Sequence, residues 1–324
     1  MARPRRIQFT DAIYLVSNHC LAGWPLLEPS DELNEIVRNL LAWTADIHGV
    51  RLHGFVFLPR CFYMLLGAPH LNLEGFMERF QGILAKRVNA LRGRSGQFFA
   101  GRYEDTHVQP DMLVEELVRL NRLPCSAGLV EHPSDWSGVS SYALHESGKP
   151  LEGTRTSLTQ AREIRRAHPN LSEAEARALA TTHHAVDLAR LPEFVDETHM
   201  GYHREILARV NRFLDDPVDS DDASHELDFN DTTTVEQAPT YTPRKPRVRG
   251  RPPRILTRSV WRRQRLADTF RALNLAYDNA RARLRRNRGK PCFPEGMIPL
   301  HKRRAVGSTV PPKLQRARSG DAAA

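Results

Sequence analysis

The run HGFVFLPRCFYMLL places a thiol, Cys61, and a phenol, Tyr63, one residue apart. Strand side chains alternate between faces, so the two would project together from one side of a sheet. Tyr63 is a candidate nucleophile with His53 or His107 as its base, although no spacing enforces that pairing. Neither group is a natural magnesium ligand, because thiolate is soft and a phenol of pKa about 10 must first lose its proton. Phe62 and Met64 between and beside them read as core. His199 and His203, at i and i+4, would share a helix face as metal ligands do, but they lack a third partner and are expected on a solvated face. Cys20, Cys61, Cys125 and Cys292 are far apart with no Cys-x-x-Cys pair, which excludes a zinc ribbon or disulfide framework and suits a reducing cytosol.

A second chemistry lies near the C-terminus. In KPRVRGRPPR, residues 245–254, Gly250 lets an extended backbone sink into a narrow minor groove. Pro252 keeps that backbone extended, and Arg249 and Arg251 lie along the groove toward its negative potential. The motif resembles the core of an AT-hook, which implies A-T-rich duplex DNA as its partner; the alternative is an arginine-rich linker that binds any polyanion. Charge is segregated to match. Residues 241–324 hold 23 Lys/Arg and 4 Asp/Glu, whereas residues 1–240 hold 24 and 34. Residues 215–236 carry nine acids, no Lys/Arg and few large apolar groups, so they read as a disordered acidic linker.

The elements that must position these groups follow from periodicity. An apolar-rich strand is expected over Ile7–Val16, and Ser30 opens a helix whose Leu33, Ile36, Val37, Leu40, Thr44 and Ile47 recur at helical spacing until Gly49. Arg51–Leu58 and Cys61–Leu66 read as a hairpin about Pro59-Arg60. Leu73, Phe76, Met77, Phe80, Leu84, Val88 and Leu91 mark a second helix. A short extended piece near Thr106–Val108 and a helix from Asp111 to Leu123 follow. Further on come a capping box, Ser172 with Glu175, a helix striped by Ile206, Leu207, Val210, Phe213 and Leu214, and a tail helix carrying Leu266, Phe270, Leu273, Tyr277, Ala280 and Leu284. The β-α-β-β-α order predicts an α+β sandwich.

Several landmarks, in order, resemble the REP-associated tyrosine transposases, a branch of the single-tyrosine HUH transposases, over about residues 1–145: MARPRRIQF with AIYLVS, HGFVFLPRCFYMLL, FFAGRY, AGLVEHPSDW and SSY at 140–142. The resemblance implies a ferredoxin-like antiparallel sheet with helices on one face. It also implies a divalent metal such as magnesium held by two histidines on a strand, and a tyrosine on the last helix that attacks a DNA phosphate. At these places the sequence departs from the family. Cys61 and Tyr63 stand where the histidines belong, and Leu120 stands at the nucleophile, or Arg119 if the count runs back from AGLV. No Tyr occurs between Tyr103 and Tyr142. No catalytic group of the family is retained, so neither metal nor cofactor is expected.

The chain is therefore expected to divide into a transposase-like DNA-binding domain (1–148), a helical appendage (149–214), an acidic disordered linker (215–243) and a disordered basic tail with the hook and an amphipathic helix (244–324). The resemblance implies hairpin or single-stranded DNA on the first domain, and a homodimer as in some relatives; from the residues themselves, Lys86, Arg87 and Arg102 are candidate DNA-backbone contacts, the alternative being solvated cations at helix ends. The expected function is DNA binding without cleavage. The alternatives are an active transposase with relocated groups and an RNA-binding module. The first residues lack the apolar core of a signal peptide, and the apolar stretch from Phe55 to Leu66 is cut by Arg60. A bacterial cytoplasmic protein, nucleoid-associated and without membrane contact, is the expectation.

Overall fold

The computed structural model describes residues 6–212, 254–286 and 292–297 of the chain. The first half runs β1 (Ile13–His19), α1 (Asp31–His48), β2 (Arg51–Leu58), β3 (Cys61–Gly67), α2 (Leu73–Leu91), β4 (Glu104–Val108) and α3 (Leu113–Ser126). The four strands pair antiparallel in the order β2-β3-β1-β4, the ferredoxin-like arrangement that β-α-β-β-α-β connectivity produces. Local signals set the boundaries. The Ser30 side chain accepts from the Leu33 backbone to start α1. The chain before Ile13 is not strand; instead Tyr14 ties it down, its hydroxyl accepting from the Phe9 backbone at 2.7 Å.

Alternation divides the sheet's side chains between two cores. Tyr14, Val16, Leu52, Phe55, Phe57, Phe62, Met64 and Leu66 pack under α1 and α2, whose expected apolar stripes are buried except near their ends at Ile47 and Leu91. The opposite face, with Val56, Leu58, Cys61, Tyr63 and Leu65, is covered too. Helices were expected on one face only. Because strands with apolar residues on both sides cannot leave either in water, α3 and a later helix close the second.

The first domain ends with α4 (Tyr142–Ser147), and the appendage consists of β5 (Leu151–Thr156), α5 (Leu158–Ala167), α6 (Glu173–Leu179), β6 (Thr181–Val186) and α7 (His199–Arg212). Among the described residues it contains three α-helices, with the capping box in place at Ser172 and Glu175. It also contains an antiparallel β5–β6 pair that no periodicity signalled. Gly153 lets that pair lie on α1, since a Cβ there would stand 2.7 Å from Asn39 Cα and 3.0 Å from the Arg38 carbonyl. Phe213 and Leu214, the acidic linker and the hook residues Arg249–Pro252 lie outside the described residues.

Part of the basic tail, expected to be disordered around one helix, is built into the fold. β7 (Arg254–Leu256) extends the sheet parallel to β4, and α8 (Val260–Arg285) follows it. Phe270 and Tyr277, from the predicted seam of α8, pack with Ile7 and Met297 in a small third core.

Candidate functional site

Cys61 and Tyr63 do share a face, and antiparallel register brings His19 opposite Cys61 and Ser17 opposite Tyr63 on the neighbouring strand. The hairpin partners are Leu58 and Val56. From above, α3 contributes Leu113, Leu117, Val118, Leu120 and Leu123, and α7 contributes Tyr202, Ile206 and Val210. Gly54 makes the close packing of α3 possible, for a Cβ there would be 2.4 Å from Leu117 Cδ1. A buried polar clasp fixes the helix: Ser141 Oγ accepts from the Phe55 backbone at 3.1 Å and donates to Asn121 Oδ1 at 2.9 Å. The structure thus gathers Cys61, Tyr63 and Leu120 into one apolar cluster, at 0%, 4% and 0% exposure. Arg119, the other position considered on this helix, is turned away and pairs with Glu116.

The imidazole near Tyr63 is neither of the two expected. His107 lies against Tyr14, Phe9 and Phe270, on the opposite side of the sheet. His53 sits at a β-bulge between Leu52 and Gly54, with Nδ1 2.8 Å from the Ala189 carbonyl oxygen. Burial pushes the imidazoles of His53 and His107 down to about 4, which leaves both neutral near pH 7. His19 is the residue that the spacing missed, its ring meeting Tyr63 edge-on at 6.3 Å between centroids. Strand register sets His19 opposite Cys61 and so diagonal to Tyr63, and register is not written in linear spacing.

The donor set here does not fit a divalent metal. Beyond the apolar side chains of the cluster, register brings His19 and Ser17, one imidazole and one hydroxyl, to Cys61 and Tyr63, a set unlike the oxygen-rich shell of a hard divalent cation. Among the described residues, no group of three His, Cys, Asp or Glu is placed to hold an ion. The other pair considered for metal also differs from expectation. His203 is buried at 2% exposure rather than solvated, because α7 turns it toward α4, where its Nδ1 lies 2.9 Å from His145 Nδ1. Its Nε2 is 3.2 Å from His199 Nε2, so the imidazoles form a row rather than converging on a point. Burial, followed by the His203 charge, lowers His145 to about 3.

Of the expected nucleic-acid contacts, Lys86, Arg87 and Arg102 are all exposed, the first two on α2 and the third ahead of β4. Among the described residues of the tail, three arginines are held by acids of the N-terminal domain: Arg254 pairs with Glu104, Arg258 with Glu115 at 2.6 Å and Arg262 with Asp111 at 3.2 Å. Asp111 also accepts from the Thr257 hydroxyl at 2.8 Å and the Arg258 backbone at 2.9 Å. Desolvation would raise this carboxyl, but those hydrogen bonds outweigh it and hold Asp111 below the usual range. Arg281, Arg283 and Arg285, at the far end of α8, are exposed. No helix among the described residues is long and apolar enough to cross a membrane.

With this geometry in hand, comparison with known proteins gives solved structures alone. One is the REP-associated tyrosine transposase bound to a REP hairpin, 16% identical over 45% of this chain and 86% of that chain, with a TM-score of 0.37. Another is a transposase candidate from Deinococcus radiodurans R1, 18% identical over 36% of this chain and 92% of that chain, with a TM-score of 0.27. Both structural neighbours carry the name transposase. No family model matches the chain, and no curated protein does.

Proposed function

We propose that this chain is a DNA-binding protein of transposase descent whose strand-cutting centre has been replaced by packing. One observation carries the proposal: the side chains at the three catalytic positions implied by the sequence landmarks, Cys61, Tyr63 and Leu120, are buried together in apolar surroundings. A phosphate group would have to shed its water to reach Tyr63 there, a cost that the leucine and valine side chains packed over the site do not offset. DNA binding is supported by the segregated charge of the chain and by the exposed cations on α2 and α8. On this proposal the N-terminal domain takes hairpin or single-stranded DNA, with Lys86, Arg87 and Arg102 on its backbone. Arg249–Pro252 engages A-T-rich duplex, and two copies of the chain associate on DNA. The acids that hold Arg254, Arg258 and Arg262 compete with DNA for the start of the tail.

Incubation of the full-length protein with 5′-labelled hairpin DNA, with and without magnesium, tests the proposal. A salt-sensitive, non-covalent complex is expected in both conditions. A covalent protein–DNA band that disappears in Tyr63→Phe would instead establish a working nuclease with His19 beside its nucleophile. Stronger binding to the equivalent RNA hairpin at matched salt would reassign the domain to RNA.

A further inference from the structure

On the opposite side of the sheet from the Cys61 cluster, three elements bring cations around one indole. Trp43 of α1 is buried at 6% exposure. The guanidinium of Arg155, from β5, lies 3.6 Å from the centre of its ring, and that of Arg79, from α2, lies at 5.8 Å. Arg87 of α2 is near enough that its charge and that of Arg79 both act on Arg155. Arg155 is fixed rather than loose: the neighbouring Thr154 backbone donates to Asn39 Oδ1 at 2.8 Å, and Gly153 lies against the α1 backbone. Among the described residues, no ion pair joins Arg79, Arg87 or Arg155 to a carboxylate.

This arrangement has a cost that packing does not explain. An indole face attracts the cation seated on it, but it leaves the mutual repulsion of three guanidiniums standing. Elsewhere the described surface arginines are commonly paired: Arg177 with Glu173, Arg209 with Glu205 and Arg271 with Asp268. Desolvation first, then the charges of Arg79 and Arg87, makes Arg155 easier to deprotonate than an ordinary arginine, the mark of a cation short of counter-charge. A phosphate oxyanion removes that repulsion, and the planar guanidinium fork matches it with two parallel hydrogen bonds. Arg79 and Arg87 are separated by two turns of helix, about 12 Å, so the cluster can meet more than one phosphate of a strand.

We propose that Arg79 and Arg155 around Trp43, with Arg87 two turns further along α2, form a backbone-phosphate grip for a nucleic-acid strand on the α1–α2 face. The proposal rests on the DNA-binding function above and extends it to a site assembled by the appendage, since Arg155 comes from β5. The test uses full-length protein and a fluorescent single-stranded 20-mer, with anisotropy titrations from about 50 to 200 mM KCl. The discriminating variant is Arg79→Gln with Arg155→Gln, which leaves Lys86, Arg87 and Arg102 in place. Each phosphate contact on single strands contributes about 0.7 to the slope of log affinity against log salt, so the slope should fall by about 1.4 and affinity by about tenfold or more. Arg79→Gln alone, on an exposed position, should lower the slope by about 0.7 and serves if the double variant folds poorly. Wild-type binding with no change of affinity or slope in either variant overturns the phosphate grip while the DNA-binding function stands. Absence of wild-type binding overturns both. Loss of affinity for a poly-glutamate 20-mer, with DNA binding unchanged, would mean that the cluster receives an acidic protein segment and would likewise overturn the proposal.

Discussion

Lowering the pH from 7.5 to 5 should destabilise this protein strongly through its buried histidines before its carboxylates begin to titrate. His53, His107 and His145 are buried in the folded chain and held at about 4, about 4 and about 3, against an ordinary imidazole value of 6.5. The sign follows from proton uptake. Between those values and 6.5 the unfolded chain binds a proton at each imidazole and the folded chain does not, so stability is full above 6.5 and falls as the pH drops below it. At about 1.4 kcal/mol per pH unit, each histidine removes about 2 kcal/mol by pH 5, and the three together remove about 6 kcal/mol. That loss is comparable to the whole stability of many domains, about 5–15 kcal/mol. His48 and His203 are lowered by burial as well and act in the same direction. Urea unfolding followed by circular dichroism at pH 7.5, 6.5, 5.8 and 5.0 measures the effect, and His107→Gln should reduce the loss at pH 5 by about 2 kcal/mol. Hydrogen exchange adds a spatial check: His107 meets Phe270 edge-on at 4.9 Å between centroids, so α8 should lose protection early. A urea midpoint that is the same at pH 7.5 and pH 5 would refute the assignment of these imidazoles as buried and neutral.

Three further outcomes follow from particular contacts. Leu120→Ala should destabilise the fold by about 3 kcal/mol, since it opens a cavity between α3 and the sheet; a loss below about 1 kcal/mol in urea unfolding would mean that the cluster is not packed as described. Gly153→Ala forces a Cβ to within 2.7 Å of the α1 backbone and should cost about 2 kcal/mol, with a change in tryptophan emission as Arg155 shifts from Trp43; unchanged unfolding and emission would contradict the close approach. Asp111→Ala removes the acceptor of Thr257, Arg258 and Arg262 at a partly exposed site. At about 2 kcal/mol this should raise hydrogen exchange across residues 254–285 about thirtyfold, and undiminished protection there would show that apolar contacts alone hold the tail.

Much of the N-terminal architecture was legible without coordinates, because short-range physics determines it. Alternation along HGFVFLPRCFYMLL, the 3–4 spacing from Leu33 to Thr44 and the Ser30 cap act within a few residues of one another, and they define the strands, helices and joints of the first domain. The same local rule put Cys61 and Tyr63 on one face. Tertiary structure alone decided what that face meets. His19 lies beside Tyr63 through strand register, Leu120 rather than Arg119 enters the cluster through the rotation of α3, and Tyr202 and Ile206 close it from a helix about 140 residues further along the chain. Arg155 meets Trp43, and Asp111 meets Arg262, across similar distances in sequence. Residue types and periods determine which side chains share a face; which faces then come into contact depends on long-range packing, where many weak contacts act together and no local pattern records them.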